Sequence, residues 1–155
     1  MRRFFLLLIV STLLFPALAS AQREKLPPRD LIQVEQKWPN AVRTSTGLWV
    51  QTLREGTGAL PKRGDTVAVL YKGSLLDGTQ FDAAEDRDEP FTFQLDRGKV
   101  IPGWEYGMLM MREGEIRLII VPFEMGYGTR GRAPDIPRMA TLIFEVEMLK
   151  VTPRD

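Results

Sequence analysis

From Gly47 onward apolar residues recur at every second position in short runs, and each run stops at turn chemistry. Val67, Val69 and Tyr71 alternate within Thr66 to Leu75, which Asp77-Gly78 ends; Phe91, Phe93 and Leu95 alternate after an acidic loop. Ile116, Leu118 and Ile120 alternate within Glu115 to Val121, and Leu142, Phe144, Val146 and Met148 within Thr141 to Val151. Leu48 to Leu53 is a further short β segment, closed by Gly56-Thr57-Gly58 and Pro61 to Asp65. A period of two places one set of side chains on one face of a strand, so these runs are half-buried antiparallel strands rather than helices.

One segment breaks the period. In Val100-Ile101-Pro102-Gly103-Trp104, Pro102 sits where a first helical turn tolerates proline, because that N–H has no intrahelical partner. Trp104, Met108 and Met111 then share one face. The reading is an α+β fold, a curved antiparallel sheet of about five strands wrapped around one short helix. Trp104 is either an ordinary core residue or the floor of a pocket.

The chain has 155 residues, 44% apolar and 26% charged, which suits one globular unit. Neither Cys nor His occurs. That inventory excludes thiolate and imidazole nucleophiles, His general bases, thiolate zinc sites and disulfides.

Residues 1–21 read as a cleaved signal peptide. Arg2 and Arg3 lead, Phe4 to Phe15 is apolar, and Ala19-Ser20-Ala21 offers small residues for cleavage. The run is about a dozen residues where a bilayer span needs roughly 20. The protein is therefore expected to be exported, periplasmic or secreted. Cleavage leaves 19 basic against 20 acidic residues, so the net charge moves from +1 to −1. With no basic excess, neither nucleic acid nor a membrane surface is expected as a partner.

Residues 22–46 form a polar arm interrupted by Pro27, Pro28 and Pro39. Asp30 to Trp38 places Leu31, Val34 and Trp38 on one helical face, but so short a helix is marginal in isolation. The arm is either loosely ordered or docks on the domain of residues 47–155 or on a second copy.

Two motifs fail in context. Gly126-Tyr127-Gly128-Thr129-Arg130-Gly131 matches a dinucleotide fingerprint, yet Pro134 and Pro137 forbid the helix that must follow it. The acidic run Asp82 to Glu89 lacks the central Gly and terminal Glu of a calcium loop. The glycines read as a hairpin-like flap presenting Tyr127, and Asp82 as a residue aimed by the turn before Phe81.

Together, Val69-Leu70-Tyr71-Lys72-Gly73, Asp77-Gly78-Thr79-Gln80-Phe81-Asp82, Val100 to Trp104, Gly126-Tyr127-Gly128 and Ala140 to Glu147 resemble the FKBP-type peptidyl-prolyl isomerases, the macrolide-binding immunophilins, in unbroken order from about Gly47 to Val151. The resemblance implies a pocket lined by Tyr71, Phe81, Asp82, Phe91, Val100, Ile101, Trp104, Tyr127, Ile136 and Phe144. Trp104 would be its floor, Tyr127 would donate its hydroxyl to the substrate carbonyl, and Asp82 would anchor the polar side beside Tyr71. Arg87 would pair with Asp82, and Pro122 to Arg138 would form the flap.

The implied partners are proline-containing unfolded or partly folded polypeptides, and macrolide inhibitors; the implied working unit is a monomer. No cofactor or metal is implied, because rotation about an Xaa-Pro bond makes and breaks no covalent bond. Arg132 and Asp135 depart from the His and apolar residue common in the family, which implies altered sequence preference and weaker macrolide binding. The alternative reading is a holdase chaperone that grips unfolded chains in the same cleft without significant isomerisation.

Overall fold

The computed structural model describes residues 23–154; the leader expected over 1–21 lies outside them. In chain order the elements are α1 (Pro28–Lys37), β1 (Val42–Arg43), β2 (Trp49–Arg54), β3 (Thr66–Leu75), β4 (Gln80–Ala84), β5 (Phe91–Gln94), α2 (Pro102–Met108), β6 (Ile116–Val121) and β7 (Leu142–Thr152). The sheet runs β1-β2-β6-β7-β3-β4, with β5 also on β3, and every pairing is antiparallel.

The α+β architecture is as expected, but the described residues hold seven strands and two helices rather than five and one. The two extra strands are short pieces defined by their neighbours. β3 pairs with β7 along one edge and shares its other edge: Thr66 to Val69 with β5, Tyr71 to Ser74 with β4. β4 and β5 therefore act as one edge strand interrupted by the charged loop 85–90.

The main core lies on the concave face, where Trp104, Met108 and Met111 pack with Val67, Val69, Phe144, Val146 and Met148. α2 approaches β6 closely because two of its residues lack side chains. A Cβ on Gly103 would stand 2.5 Å from Val121 Cγ1, and one on Gly107 would stand 2.9 Å from Ile119 Cδ1. Glycines at i and i+4 thus form the face that meets the sheet, and Trp104 is seated beside them.

The other sheet face carries a second core. Val34 is fully buried in α1, and Leu31 and Trp38 pack with it over Leu118 and Ile120 of β6 and Ile143 of β7. Of the two readings of the arm, the helix docks on this chain. Thr141 Oγ1 donates to Asp30 Oδ2 at 2.5 Å, and Lys37 Nζ donates to the Leu76 carbonyl at 2.5 Å. β6 is consequently covered on both faces: Ile119 and Val121 enter the main core, while Leu118 and Ile120, two of the alternating set, lie under α1.

Candidate active site

A cleft of about 200 Å³ opens at the concave end of the sheet, lined by residues from β3, β4, β5, α2, β7, the segment before α2 and the flap. Its floor is Trp104, 4% exposed. The indole is edge-to-face with Tyr71 (centroids 4.7 Å, planes 88°), Phe144 (5.3 Å, 80°) and Phe91 (5.9 Å, 75°). Offset and edge-to-face aromatic pairs add about 0.5–1.5 kcal/mol each beyond burial, so the floor is held from several sides. Among the described residues the buried Trp104 Nε1–H has no hydrogen-bond acceptor.

Strand register explains why Phe81 and Asp82, neighbours in sequence, both reach the cleft. Gly73 pairs with Asp82 and Ser74 with Gln80, which leaves Phe81 as the extra residue of a bulge. A bulge lets consecutive side chains avoid strict alternation. Gly73, opposite Phe144 on β7, makes room for both rings: a Cβ there would stand 2.8 Å from Phe81 Cε2 and 2.9 Å from Phe144 Cε1. The two phenyl rings meet edge-to-face at 5.7 Å.

The polar wall is formed by Tyr71, Asp82 and Tyr127. Burial first, then the hydrogen bond and charge of Asp82, push the Tyr71 hydroxyl well above the ordinary tyrosine range. Tyr71 is therefore a protonated hydroxyl at neutral pH. Tyr127 is half-buried on the flap, with the Arg132 guanidinium carbon 5.1 Å from its ring centroid. The flap is held by its own backbone: Gly128 N–H donates to the Phe123 carbonyl at 2.8 Å, and Arg132 and Ile136 exchange two hydrogen bonds of 2.9 Å. Among the described residues no helix follows its glycines, so the dinucleotide fingerprint has no pyrophosphate-binding helix here.

Nine of the ten residues expected to line the pocket do so: Tyr71, Phe81, Asp82, Phe91, Val100, Ile101, Trp104, Tyr127 and Phe144. Ile136 does not line it. It is 2% exposed and packs in the main core, because its bridge to Arg132 folds the flap over it. Arg87 is also corrected: it donates to Glu147 Oε2 at 2.6 Å on β7, not to Asp82. Glu147 is also paired with Arg54, and these contacts, Arg87 first, hold its carboxyl below the usual glutamate range. Sequence reasoning missed Lys99, which lines the cleft just before the recognised Val100-Ile101 pair.

A curved antiparallel sheet holds an aromatic cleft over one helix-borne Trp, with Tyr71, Asp82, Tyr127, Lys99 and Arg132 as its polar lining, and this is a site shaped for a small apolar group. Residues 58–149 match the FKBP-type peptidyl-prolyl cis-trans isomerase family model. The chain belongs to that family. It is 50% identical over 93 residues to Peptidyl-prolyl cis-trans isomerase FKBP2 of Homo sapiens, covering 60% of this chain and 66% of that one. It is 46% identical over 110 residues to FkpA of Escherichia coli (71% and 40%) and 48% over 105 residues to the FK506-binding protein of Neisseria meningitidis serogroup B (68% and 96%). The crystal structure of FkpA superposes with a TM-score of 0.72 at 41% identity, covering 81% of this chain and 58% of that chain. The matched stretch thus spans just under two thirds of the FKBP2 relatives and less than half of FkpA.

Proposed function

We propose that this protein is a peptidyl-prolyl cis-trans isomerase that assists the folding of exported polypeptides. The observation that carries the reading is the Trp104 floor, ringed by Tyr71, Phe91 and Phe144 and flanked by Asp82 and Tyr127 in one cleft. An Xaa-Pro bond rotates over a barrier of about 18–20 kcal/mol in tens to hundreds of seconds, because the planar amide is resonance-stabilised. Water favours the charge-separated planar form. A proline ring seated on Trp104 against Phe144 takes the amide into an apolar wall, where the twisted form loses less. Tyr127 donates to the substrate carbonyl, and Asp82 fixes the polar side through Tyr71. Each tenfold in rate needs only about 1.4 kcal/mol of such discrimination.

The reading includes export through the leader at 1–21, supported by its charged start, apolar run and small-residue end. Among the described residues no helix is long and apolar enough to cross a membrane. The segment 22–46 precedes the isomerase unit of 47–155 and braces its sheet through α1. The cleft is built within one chain, so a monomer suffices, and a macrolide competes for the same floor. A chymotrypsin-coupled Xaa-Pro assay tests the reading: wild type accelerates isomerisation and Trp104→Leu loses most of that acceleration. A wild type that suppresses aggregation but gives no acceleration establishes the holdase instead.

A further inference from the structure

Two cations stand on the cleft outside any ion pair. Lys99 lines it from the segment before α2, and Arg132 lines it from the flap. Among the described residues the ion pairs engage Arg43, Arg54, Arg63, Lys72, Arg87 and Arg117, and neither of these two. Arg132 is held in place: its backbone is clamped to Ile136 by two 2.9 Å bonds and its guanidinium lies by the Tyr127 ring, 5.1 Å from its centroid.

The acids in the neighbourhood are committed elsewhere or stand off the cleft. Asp82 is the exception, the one carboxylate that lines it, together with Tyr71. Glu85 pairs with Lys72 at 2.9 Å, and the Asp86 carboxylate accepts the Asp88 N–H at 2.9 Å. Asp88, Glu89 and Asp135 are exposed and do not line the cleft. Two cations against one carboxylate leave the rim positive.

We infer that Lys99 and Arg132 select substrates carrying an acidic residue next to the proline seated on Trp104. The inference rests on the isomerase reading above. Both heads are solvent-exposed, so the preference has the size of exposed ion pairs, roughly two- to fivefold, and it is screened by salt.

The test uses two peptide series, with Leu, Glu or Lys either before or after the proline, and reads kcat/KM by NMR exchange and Kd by Trp fluorescence. At low salt the Glu peptide exceeds the Lys peptide by roughly two- to fivefold in at least one series. The ratio falls toward one at high salt and in a Lys99→Gln/Arg132→Gln double variant whose melting shows it folded, and survives in Arg132→Lys. Ratios near one in both series for wild type, or a ratio untouched in the double variant, overturn the inference. Failure to accelerate the Leu peptides sinks the isomerase reading instead; the Kd ratios then decide the charge preference.

Discussion

The Tyr71 and Trp104 rings stand edge to face, 4.7 Å between centroids with their planes 88° apart. This contact joins β3 to α2 at the bottom of the cleft, so the floor is positioned by the sheet as well as by its own helix. Trp104→Leu removes the indole from three edge-to-face pairs and leaves a void in the floor. The expected loss is at least tenfold in kcat/KM together with about 2–4 kcal/mol of stability. Trp104→Phe keeps an aromatic floor and retains more of both. Urea unfolding beside the isomerase assay measures the two losses; equal activity in the Leu and Phe variants contradicts the assigned role.

Gly73 should tolerate no side chain. A Cβ would stand 2.8–2.9 Å from the Phe81 and Phe144 rings. Gly73→Ala is expected to cost about 1–3 kcal/mol by overpacking and to displace both aromatic walls. Near-UV circular dichroism and urea midpoints check it; an unchanged aromatic signal speaks against the close approach.

α1 is expected to act as part of the folded unit. Val34 is fully buried over β6 and β7, so Val34→Ala should cost about 1.5–3 kcal/mol. Asp30→Ala removes the hydrogen bond from Thr141 and should cost about 1 kcal/mol. A single cooperative urea transition that shifts in both variants is the expected result. Unfolding of α1 in a separate, earlier transition is the contrary one.

Stability should fall on acidification through Asp65. Its carboxylate accepts the Lys62 N–H at 2.8 Å and the Arg154 N–H at 3.1 Å, and these bonds hold it below its ordinary 3.8. A carboxyl depressed on folding contributes stability that is present above its unfolded value and lost as pH falls through the folded one. Wild type should therefore unfold at higher urea than Asp65→Asn at neutral pH, with the gap closing below pH 3.8. A gap that is constant with pH excludes this linkage.

The parts legible in the sequence are those with a strong local period. Thr66 to Leu75 is β3 with the expected bounds, and α2 starts at Pro102 because proline and the buried Trp face announce it. β4 was illegible because Gln80, Asp82 and two alanines carry little strand preference; β3 supplies its partner and the bulge turns Phe81 inward. The alternation in β6 pointed to one buried face, whereas α1, a helix marginal alone, buries the second. Arg87 went to Glu147 because exposed charges in a loop follow tertiary neighbours that no spacing records. Ile136 is expected in the lining from the family resemblance alone, and only the Arg132 to Ile136 bridge separates the rim from the core behind it.

The most direct measurement is NMR exchange spectroscopy on a Leu-Pro peptide at equilibrium, which follows cis and trans signals without a coupled protease. The account predicts that substoichiometric protein raises the exchange rate from once in tens of seconds or longer to a rate resolved in the spectrum, and that Trp104→Leu abolishes most of the gain. Peptide that binds in the cleft while its cis and trans signals exchange no faster than in buffer would contradict it.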